Sequence, residues 1–222
     1  MIKKKEQCRN GTRLITRDLP MSPITEQYRT MRTNIEYAMI QQGLKTLVFT
    51  SALPKEGKSL TISNLAVTFA EQGKKVLLID ADLRKPNIHH YFKLTNVNGL
   101  TQVLNKQSQF YNSIVLTDID SLWVLPSGPI PPKPTQLLGS TSMNEVLTAA
   151  TQNFDITILD APPVLSVTDA QILGNICDGT LLVVKSHTVD KESLKKAKDL
   201  LDKTKINITG IVLNGSDQKQ LR

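Results

Sequence analysis

The stretch Thr46-Leu-Val-Phe-Thr-Ser-Ala-Leu-Pro-Lys-Glu-Gly-Lys-Ser59 decides the fold of this 222-residue chain. Its first five residues form an apolar, β-branched run that is typical of a buried strand. After a loop, Leu60–Gln72 has the composition of a helix that ends at Gly73. The loop has the spacing A-x4-G-K-S, in which the glycine lets backbone N–H groups turn towards an anion at the positive end of the helix dipole. The stretch therefore predicts a phosphate-binding loop between a strand and a helix.

The residues of this loop are expected to bind ATP. Lys58 can reach the β- and γ-phosphates, and the Ser59 hydroxyl can bind Mg²⁺. We expect Lys58 to face solvent when no nucleotide is bound. The alternative is an ordinary strand–helix turn without a ligand. The predicted nucleotide-binding residues of the loop are Ala52, Lys55, Glu56, Gly57, Lys58, Ser59 and Leu60.

The rest of the chain alternates between strand-like and helix-like segments. Several strand-like runs are apolar on both faces, as expected for a parallel sheet that helices cover on both sides. We therefore predict a doubly wound α/β fold with a mostly parallel sheet. The six predicted strands are Thr46–Thr50, Val76–Ile79, Leu122–Leu125, Ile156–Leu159, Thr180–Val184 and Ile208–Leu213.

The sequence also predicts the limits of the domain. Residues 1–20 are polar and basic without periodicity, so we expect a flexible or surface-draped arm. Ser22-Pro23 is typical of a helix start, and apolar residues at three- and four-residue spacing predict a helix over 22–42. The P-loop domain then covers residues 21–215, and residues 216–222 form a short polar tail.

Within the domain, Pro126–Pro134 contains five prolines and must form an extended loop. Such a loop is either a stiff connector or an edge of the active site.

Three aspartates follow two of the predicted strands. Asp80 and Asp82 come at the end of the second strand, and Asp160 ends the fourth. Carboxylates at the C-terminal ends of neighbouring parallel strands converge on the crevice where ligands bind. Because three carboxylates would repel ATP, we expect a cation between them, and Mg²⁺ prefers such oxygen ligands. The alternative is that each aspartate caps a helix.

Composition excludes several functional classes. The two cysteines, Cys8 and Cys177, are too few for a zinc site or a disulfide framework, which predicts a reducing, cytosolic setting. No apolar run approaches the ~20 residues that cross a bilayer. The net charge of +7 is concentrated at the two ends, which indicates solvated tails or loose attraction to acidic partners or anionic lipid. Aromatic residues are sparse and do not alternate with the bases, so no nucleic-acid partner is expected.

Taken together, the motifs resemble those of the bacterial tyrosine kinases that work with a polysaccharide co-polymerase in capsule or exopolysaccharide synthesis. That family combines a Walker A loop, a second motif of the form apolar3-D-x-D-x-R, a Walker B motif of the form apolar3-D-x-P-P and a helix motif E-x2-R-x2-R. The matching segments are Ala52–Ser59, Leu77–Arg84, Ile158–Pro163 with its preceding apolar positions, and Glu26–Arg32. The resemblance covers roughly residues 20–215.

The resemblance implies roles for the residues of these motifs. ATP would lie on the loop, and its Mg²⁺ would be held by Ser59 and oriented by Asp82 and Asp160. Asp80 would be the candidate base for the tyrosine hydroxyl. A carboxylate with a pKa near 4 is about six units too weak to deprotonate a phenol before transfer, so we expect Asp80 to orient the hydroxyl and to accept its proton late. The implied catalytic residues are Lys58, Asp80, Asp82 and Arg84, where Arg84 either neutralises the transferring group or forms a surface salt bridge.

Two further roles follow from the same resemblance. Asn214 matches an asparagine with which related ATPases read adenine, since an amide can both donate to and accept from that base; a strand-end turn residue is the alternative. Glu26, Arg29 and Arg32 match residues that join neighbouring subunits into a ring, and their spacing is expected to place them on one broad polar helix face. The alternative for them is an intrahelical Glu–Arg pair.

Three positions depart from the family pattern. Lys55 occupies a loop position where glycine is usual, and its charge either aids phosphate binding or faces solvent. Lys133 and Gln136 replace an asparagine and a glutamate. The family's C-terminal tyrosine cluster is missing, because the last tyrosine is Tyr111. Either the tail is truncated, or this protein does not use autophosphorylation of its tail.

The expected function is therefore an ATP- and Mg²⁺-dependent protein-tyrosine kinase. Its expected partners are protein tyrosines, the cytosolic tail of a transmembrane co-polymerase and further copies of itself, with a cytoplasmic location at the inner face of the membrane. One alternative is a partitioning or division-site ATPase, although Leu53 occupies the place of that class's signature lysine. A second alternative is an ATP-binding adaptor without transferase activity.

Overall fold

The structure, a computed structural model, describes residues 13–204 and 206–215. The strands of this part of the chain are β1 (Thr46–Ser51), β2 (Val76–Asp80), β3 (Val115–Leu116), β4 (Leu122–Leu125), β5 (Ile156–Asp160), β6 (Gly179–Lys185) and β7 (Ile208–Asn214). Its helices are α1 (Ile15–Asp18), α2 (Pro23–Gln42), α3 (Lys58–Ala70), α4 (Ile88–Tyr91), α5 (Leu100–Leu104), α6 (Phe110–Ser113), α7 (Pro134–Leu138), α8 (Thr141–Asn153), α9 (Asp169–Ile176) and α10 (Lys191–Lys203).

All the strands belong to one sheet with the order β3-β4-β2-β5-β1-β6-β7. The strand pairs are parallel except for β3 with β4, which is antiparallel. The strand β1, from which the phosphate-binding loop leaves, lies inside the sheet and is buried along its whole length. The C-terminal ends of β2, β5 and β1 therefore lie side by side at the same edge of the sheet.

The sheet separates two apolar cores. Side chains of β2 alternate between them, with Leu77 and Ile79 in the core beneath α8, α9 and α10, and Val76 and Leu78 in the core beneath α1, α2 and α3. This alternation follows from the two-residue period of a strand, and both faces are apolar because helices cover both. The predicted doubly wound α/β fold and its mostly parallel sheet are confirmed.

The predicted elements differ from the observed ones in small ways. All six predicted strands are present, and β3 is an additional edge strand of two exposed residues that has no periodicity to reveal it. Helix α3 begins at Lys58, two residues earlier than predicted. Helix α2 lies within the predicted range, with Ser22 accepting a hydrogen bond from the Thr25 N–H and Gly43 closing the helix at φ +67°.

Part of the predicted arm belongs to the folded domain instead. The prediction of a flexible arm over residues 1–20 is wrong for residues 14–18, because Leu14 and Thr16 are completely buried. Thr16 forms hydrogen bonds with the Asn64 side chain on α3, which holds α1 against the domain. The first twelve residues, including Cys8, and the predicted tail 216–222 lie outside the described residues.

Two features concern the surface of the molecule. No helix in residues 13–204 or 206–215 combines the length and the apolar composition needed to cross a membrane. At one end of the sheet, β7 pairs with β6 alone among the described strands. Its Ile211 and Leu213 side chains are more than half exposed.

Candidate functional site

The phosphate-binding loop connects β1 to α3 and has two residues in the left-handed region. Gly57, at φ +80°, is the N-cap of α3. Its lack of a side chain is required, because a Cβ there would lie 2.2 Å from the Asn214 side-chain nitrogen. Lys55 is exposed and has φ +67°, which explains why glycine suits its position. Ala52 is buried at the start of the loop, and Leu60 lies half-buried in the first turn of α3.

The buried Glu56 side chain stabilises the loop through hydrogen bonds. Its carboxylate is buried and accepts hydrogen bonds from the Leu53 N–H, within the loop, and from the Lys185 N–H at 2.9 Å, at the end of β6. The backbone carbonyl of Glu56 accepts a hydrogen bond from the Asn214 amide nitrogen at 2.8 Å. The loop is thus fixed to the ends of both β6 and β7, and Asn214 lies beside the loop.

Lys58 is buried and forms an ion pair with Asp160. Its ammonium group contacts one oxygen of the carboxylate, and the Ser59 hydroxyl donates to the other oxygen. The expectation that Lys58 faces solvent without nucleotide is wrong, since only 7% of its side chain is exposed. The reason is that Asp160 is completely buried, and a buried carboxylate needs a nearby cation.

Asp80 and Asp160 are register partners at the ends of neighbouring strands. One oxygen of Asp80 accepts hydrogen bonds from the N–H groups of Asn87 at 2.9 Å and Ile88 at 3.0 Å. Its other oxygen, Oδ1, is buried without a hydrogen-bond partner among the described residues.

The surroundings of both carboxyl groups favour their neutral forms. Burial, together with the charge of Asp160, raises the pKa of Asp80 to about 8, and the two backbone N–H groups and Lys58 oppose the increase only in part. Burial also raises the pKa of Asp160, although Lys58 and Ser59 stabilise its charged form. A cation bound beside the pair would oppose the effect of burial and favour the charged forms.

Asp82 lies two residues beyond β2 and is 8% exposed. Its Oδ1 accepts hydrogen bonds from the N–H of Arg84 at 3.3 Å and of Lys85 at 3.0 Å. The structure shows no donor to its second oxygen, Oδ2, within the described residues. Asp82 therefore keeps one carboxylate oxygen for a ligand.

The Arg84 guanidinium is held by residues that the sequence analysis did not single out. Its Nε and Nη2 donate to the two oxygens of Asp169 at 2.8 and 3.2 Å, and Nη2 also donates to the Thr135 hydroxyl at 2.9 Å. Asp169 is completely buried at the start of α9, and Thr135 lies in α7, directly after the proline-rich loop. An aspartate at a helix start is the only sequence signal here, and it does not distinguish an ion pair from a helix cap.

The three residues of the helix motif do not share one exposed face. Arg29 forms ion pairs with Glu26 and with Glu71, and these contacts lie at the surface. Arg32 is instead buried and donates to the Thr68 carbonyl of α3 at 3.1 Å. The expectation of a shared polar face is therefore wrong for Arg32. Its long apolar stem can be buried between α2 and α3 while its guanidinium donates to a backbone carbonyl.

Comparison with known proteins agrees with these observations. The AAA domain family matches residues 55–209. The tyrosine-protein kinase YwqD of Bacillus subtilis is 48% identical over 214 residues, which cover 96% of this chain and 90% of that protein. The tyrosine-protein kinase CpsD of Streptococcus agalactiae is 38% identical over 192 residues, which cover 86% of this chain and 82% of that protein.

A solved structure is similar over almost the whole chain. The kinase domain of the Escherichia coli tyrosine kinase ETK superposes with a TM-score of 0.90 at 30% identity, covering 99% of this chain and 86% of that domain. These similarities extend well beyond the loop that all P-loop proteins share, so the alternative of a partitioning ATPase is not needed. This chain belongs to the bacterial tyrosine kinases of capsule and exopolysaccharide synthesis.

Proposed function

We propose that this kinase transfers the terminal phosphoryl group of Mg-ATP to a protein tyrosine with the residues at the ends of β1, β2 and β5. The observation that carries the proposal is the contact of Lys58 and Ser59 with Asp160, beside Asp80 in the next strand. A phosphate-binding lysine, a metal-binding hydroxyl and two carboxylates then lie within one small site. Phosphoryl transfer depends mainly on such positioning and charge neutralisation.

In this proposal ATP binds to the backbone N–H groups of the loop and the N-terminus of α3. Lys58 exchanges Asp160 for a phosphate oxygen when the nucleotide arrives. The Asn214 amide nitrogen already donates to the loop, so its oxygen is the atom assigned to the amino group of adenine. Lys55 is exposed at the rim of the loop and adds positive charge there.

The residues present fit a magnesium ion. Oδ2 of Asp82, to which no donor among the described residues is bound, is a hard oxygen atom, and Ser59 and Asp160 supply more. The described residues contain no group of three or more His, Cys, Asp or Glu side chains that could hold a metal ion by themselves. This pattern agrees with Mg²⁺, which is usually held by one or two carboxylates together with substrate phosphates. When bound, the ion neutralises charge that develops on the phosphates.

Asp80 is assigned to the tyrosine hydroxyl. Burial and the charge of Asp160 raise the pKa of Asp80 to about 8 in the nucleotide-free site, so its carboxyl group must ionise, which a bound cation favours, before it can accept a proton from the hydroxyl. Two backbone N–H groups fix one oxygen of Asp80, which leaves the other to orient the hydroxyl and to accept its proton. Arg84 is held by Asp169, so we assign it no direct contact with the transferring group.

We further propose that the kinase acts beside a transmembrane polysaccharide co-polymerase, whose cytosolic tail brings it to the inner face of the membrane. Membership of this kinase family supports the proposal. An ATP-binding adaptor without transferase activity is the competing function.

Phosphate transfer to a poly-Glu-Tyr peptide tests the proposal. With Mg-ATP we expect transfer by the unmodified chain, and Asp80→Asn should slow it at least tenfold while ATP affinity changes less than about threefold. Asp82→Asn should also raise the magnesium concentration needed for half-maximal rate. Identical kinetic and magnesium profiles for the two variants would show that the division of roles is wrong. No transfer, with and without the partner's cytosolic tail, would favour the adaptor.

A further inference from the structure

Asp169, Arg84 and Thr135 form a closed group of hydrogen bonds next to the site. The Thr135 hydroxyl donates to Oδ1 of Asp169 at 2.7 Å and accepts from Nη2 of Arg84, while Arg84 donates to both oxygens of Asp169. The group joins three elements that are far apart in sequence: the loop after β2, the start of α7 and the start of α9. A carboxylate that is completely buried and bound in this way holds a guanidinium in one geometry.

The same arginine also contacts Asp82 through its backbone. Its N–H, with that of Lys85, donates to Oδ1 of Asp82. A continuous path therefore leads from Asp169 through the Arg84 side chain to the Arg84 backbone and then to the Asp82 carboxylate.

The position of the guanidinium matters for Oδ2 of Asp82. The hydrogen bond to Asp169 raises the pKa of Arg84, and so do the charges of Asp169 and Asp82, against the effect of burial. Arg84 is thus attracted to Asp82, and its side chain is 36% exposed, so the contacts with Asp169 and Thr135 are what fix its direction. Without Asp169, the guanidinium is free to bind the second oxygen of Asp82, which is the oxygen left for a ligand.

We propose that Asp169 is a positioning residue: by holding Arg84 it orients Asp82 and keeps Oδ2 of Asp82 available to magnesium. This inference rests on the proposed function, in which Asp82 helps to orient the metal. Thr135 supports the same geometry through its contacts with Arg84 and Asp169. The start of α7 and the proline-rich loop before it therefore lie at the edge of the proposed site.

The experiment compares Asp169→Asn with Asp82→Asn and with the control Asp178→Asn. Asp178 accepts hydrogen bonds from the N–H groups of Lys45 and Thr46 near the start of β1. It therefore lies at the N-terminal ends of the strands, away from the site at their C-terminal ends. The readouts are the magnesium dependence of fluorescent ADP binding, the kcat and KM of peptide phosphorylation, and Tm.

For Asp169→Asn we expect the half-saturating magnesium concentration to rise and kcat to fall, each about tenfold, with KM for ATP within about twofold at saturating magnesium. The double variant Asp82→Asn with Asp169→Asn should have the same half-saturating magnesium concentration and the same kcat as Asp82→Asn alone. Asp178→Asn should lower Tm and leave the magnesium dependence unchanged.

Thr135 provides a milder pair of variants if Asp169→Asn does not fold. Thr135→Val should raise the half-saturating magnesium concentration, as Asp169→Asn does. Thr135→Ser should have the magnesium dependence of the unmodified protein, because serine keeps the hydroxyl. The inference is overturned if Asp169→Asn or Thr135→Val lowers Tm while the magnesium dependence stays unchanged, or if the double variant shows additive losses.

The two hypotheses fail in different ways. If Asp82→Asn shifts the magnesium dependence and Asp169→Asn does not, the inference alone is wrong. If Asp82→Asn itself has no effect on magnesium, the role proposed for Asp82 is wrong and the inference fails with it.

Discussion

At the scale of single residues, the site is a group of buried charges that hold one another in place. Lys58, Asp80 and Asp160 are each less than 10% exposed, and Lys58 is the cation that contacts the Asp160 carboxylate. Burial of a charge is tolerated only when a partner compensates it. Loss of either Lys58 or Asp160 should therefore destabilise the nucleotide-free protein.

Replacing Lys58 tests the buried ion pair. Lys58→Ala should abolish Mg-ATP binding and should also destabilise the nucleotide-free protein by about 3 kcal/mol, because Asp160 loses its cation. Urea denaturation measures the second effect. Adding Asp160→Asn should recover part of the lost stability. If Lys58→Ala alone unfolds at the same urea concentration as the unmodified protein, the ion pair does not form in solution.

Asp80 should make stability depend on pH. Its pKa is raised from 3.8 to about 8, so the folded state binds the proton more tightly than the unfolded state. Stability therefore falls from pH 4 to pH 8, where the carboxyl group is ionised in the unfolded chain and still largely neutral in the folded protein. Asn is neutral throughout this range. Asp80→Asn should therefore raise Tm without nucleotide at pH 8 by at least about 2–4 °C, or about 1 kcal/mol, with no gain near pH 4.

The control for this prediction is Asp120→Asn, since Asp120 is exposed. It should change Tm little at either pH. A constant difference in Tm between Asp80→Asn and the unmodified protein from pH 4 to pH 8 would contradict the raised pKa.

At the scale of elements, local patterns predicted what depends on local sequence. The strands were predicted because burial on both faces gives them continuous apolar runs, and α2 was predicted because its apolar residues recur at helical spacing. The caps at Ser22 and Gly43 mark where α2 begins and ends. The loop and the three aspartates were predicted because their spacing is fixed by one strand and one turn. The burial of α1 and of Arg32 was not predicted, since each depends on contacts with α3 about 40 residues away. Asp169 was missed because its partner, Arg84, is also distant in sequence.

Two arginines on α2 offer a matched comparison. Arg32→Ala should lower the free energy of unfolding by about 2 kcal/mol, because it removes buried side-chain packing and the hydrogen bond to the Thr68 carbonyl. Arg29→Ala lies one turn earlier and removes only surface ion pairs, so we expect a loss below about 1 kcal/mol. Chemical denaturation of both variants measures the difference. Equal losses would show that Arg32 does not dock α2 on α3.

At the scale of the whole molecule, the proposed ring interface rests on few groups. Glu26 and Arg29 are available at the surface, whereas Arg32 is bound within its own domain. Exposed ion pairs contribute only about 0–1 kcal/mol each and are screened by salt. Any ring that these residues form should therefore be weak.

Light scattering across a salt series tests this proposal. We expect a mostly monomeric protein at micromolar concentration, and a small associated fraction that disappears at about 0.5 M salt, where screening is strong. Glu26→Gln with Arg29→Ala should remove that fraction at low salt and leave Tm nearly unchanged. An oligomer that survives both high salt and these two substitutions would place the interface elsewhere.

One side of β7 has no partner strand among the described residues, and we expect this to affect the protein in concentrated solution. Unpaired N–H and C=O groups of an edge strand form a template onto which another extended chain can add. Here the exposed side chains of Ile211 and Leu213 lie on that edge strand, and they are aliphatic rather than charged. Many proteins protect such an edge from aggregation with lysine or proline. We therefore expect slow edge-to-edge aggregation to compete with any reversible assembly, so dilute, freshly prepared samples are the ones in which light scattering would report a ring alone.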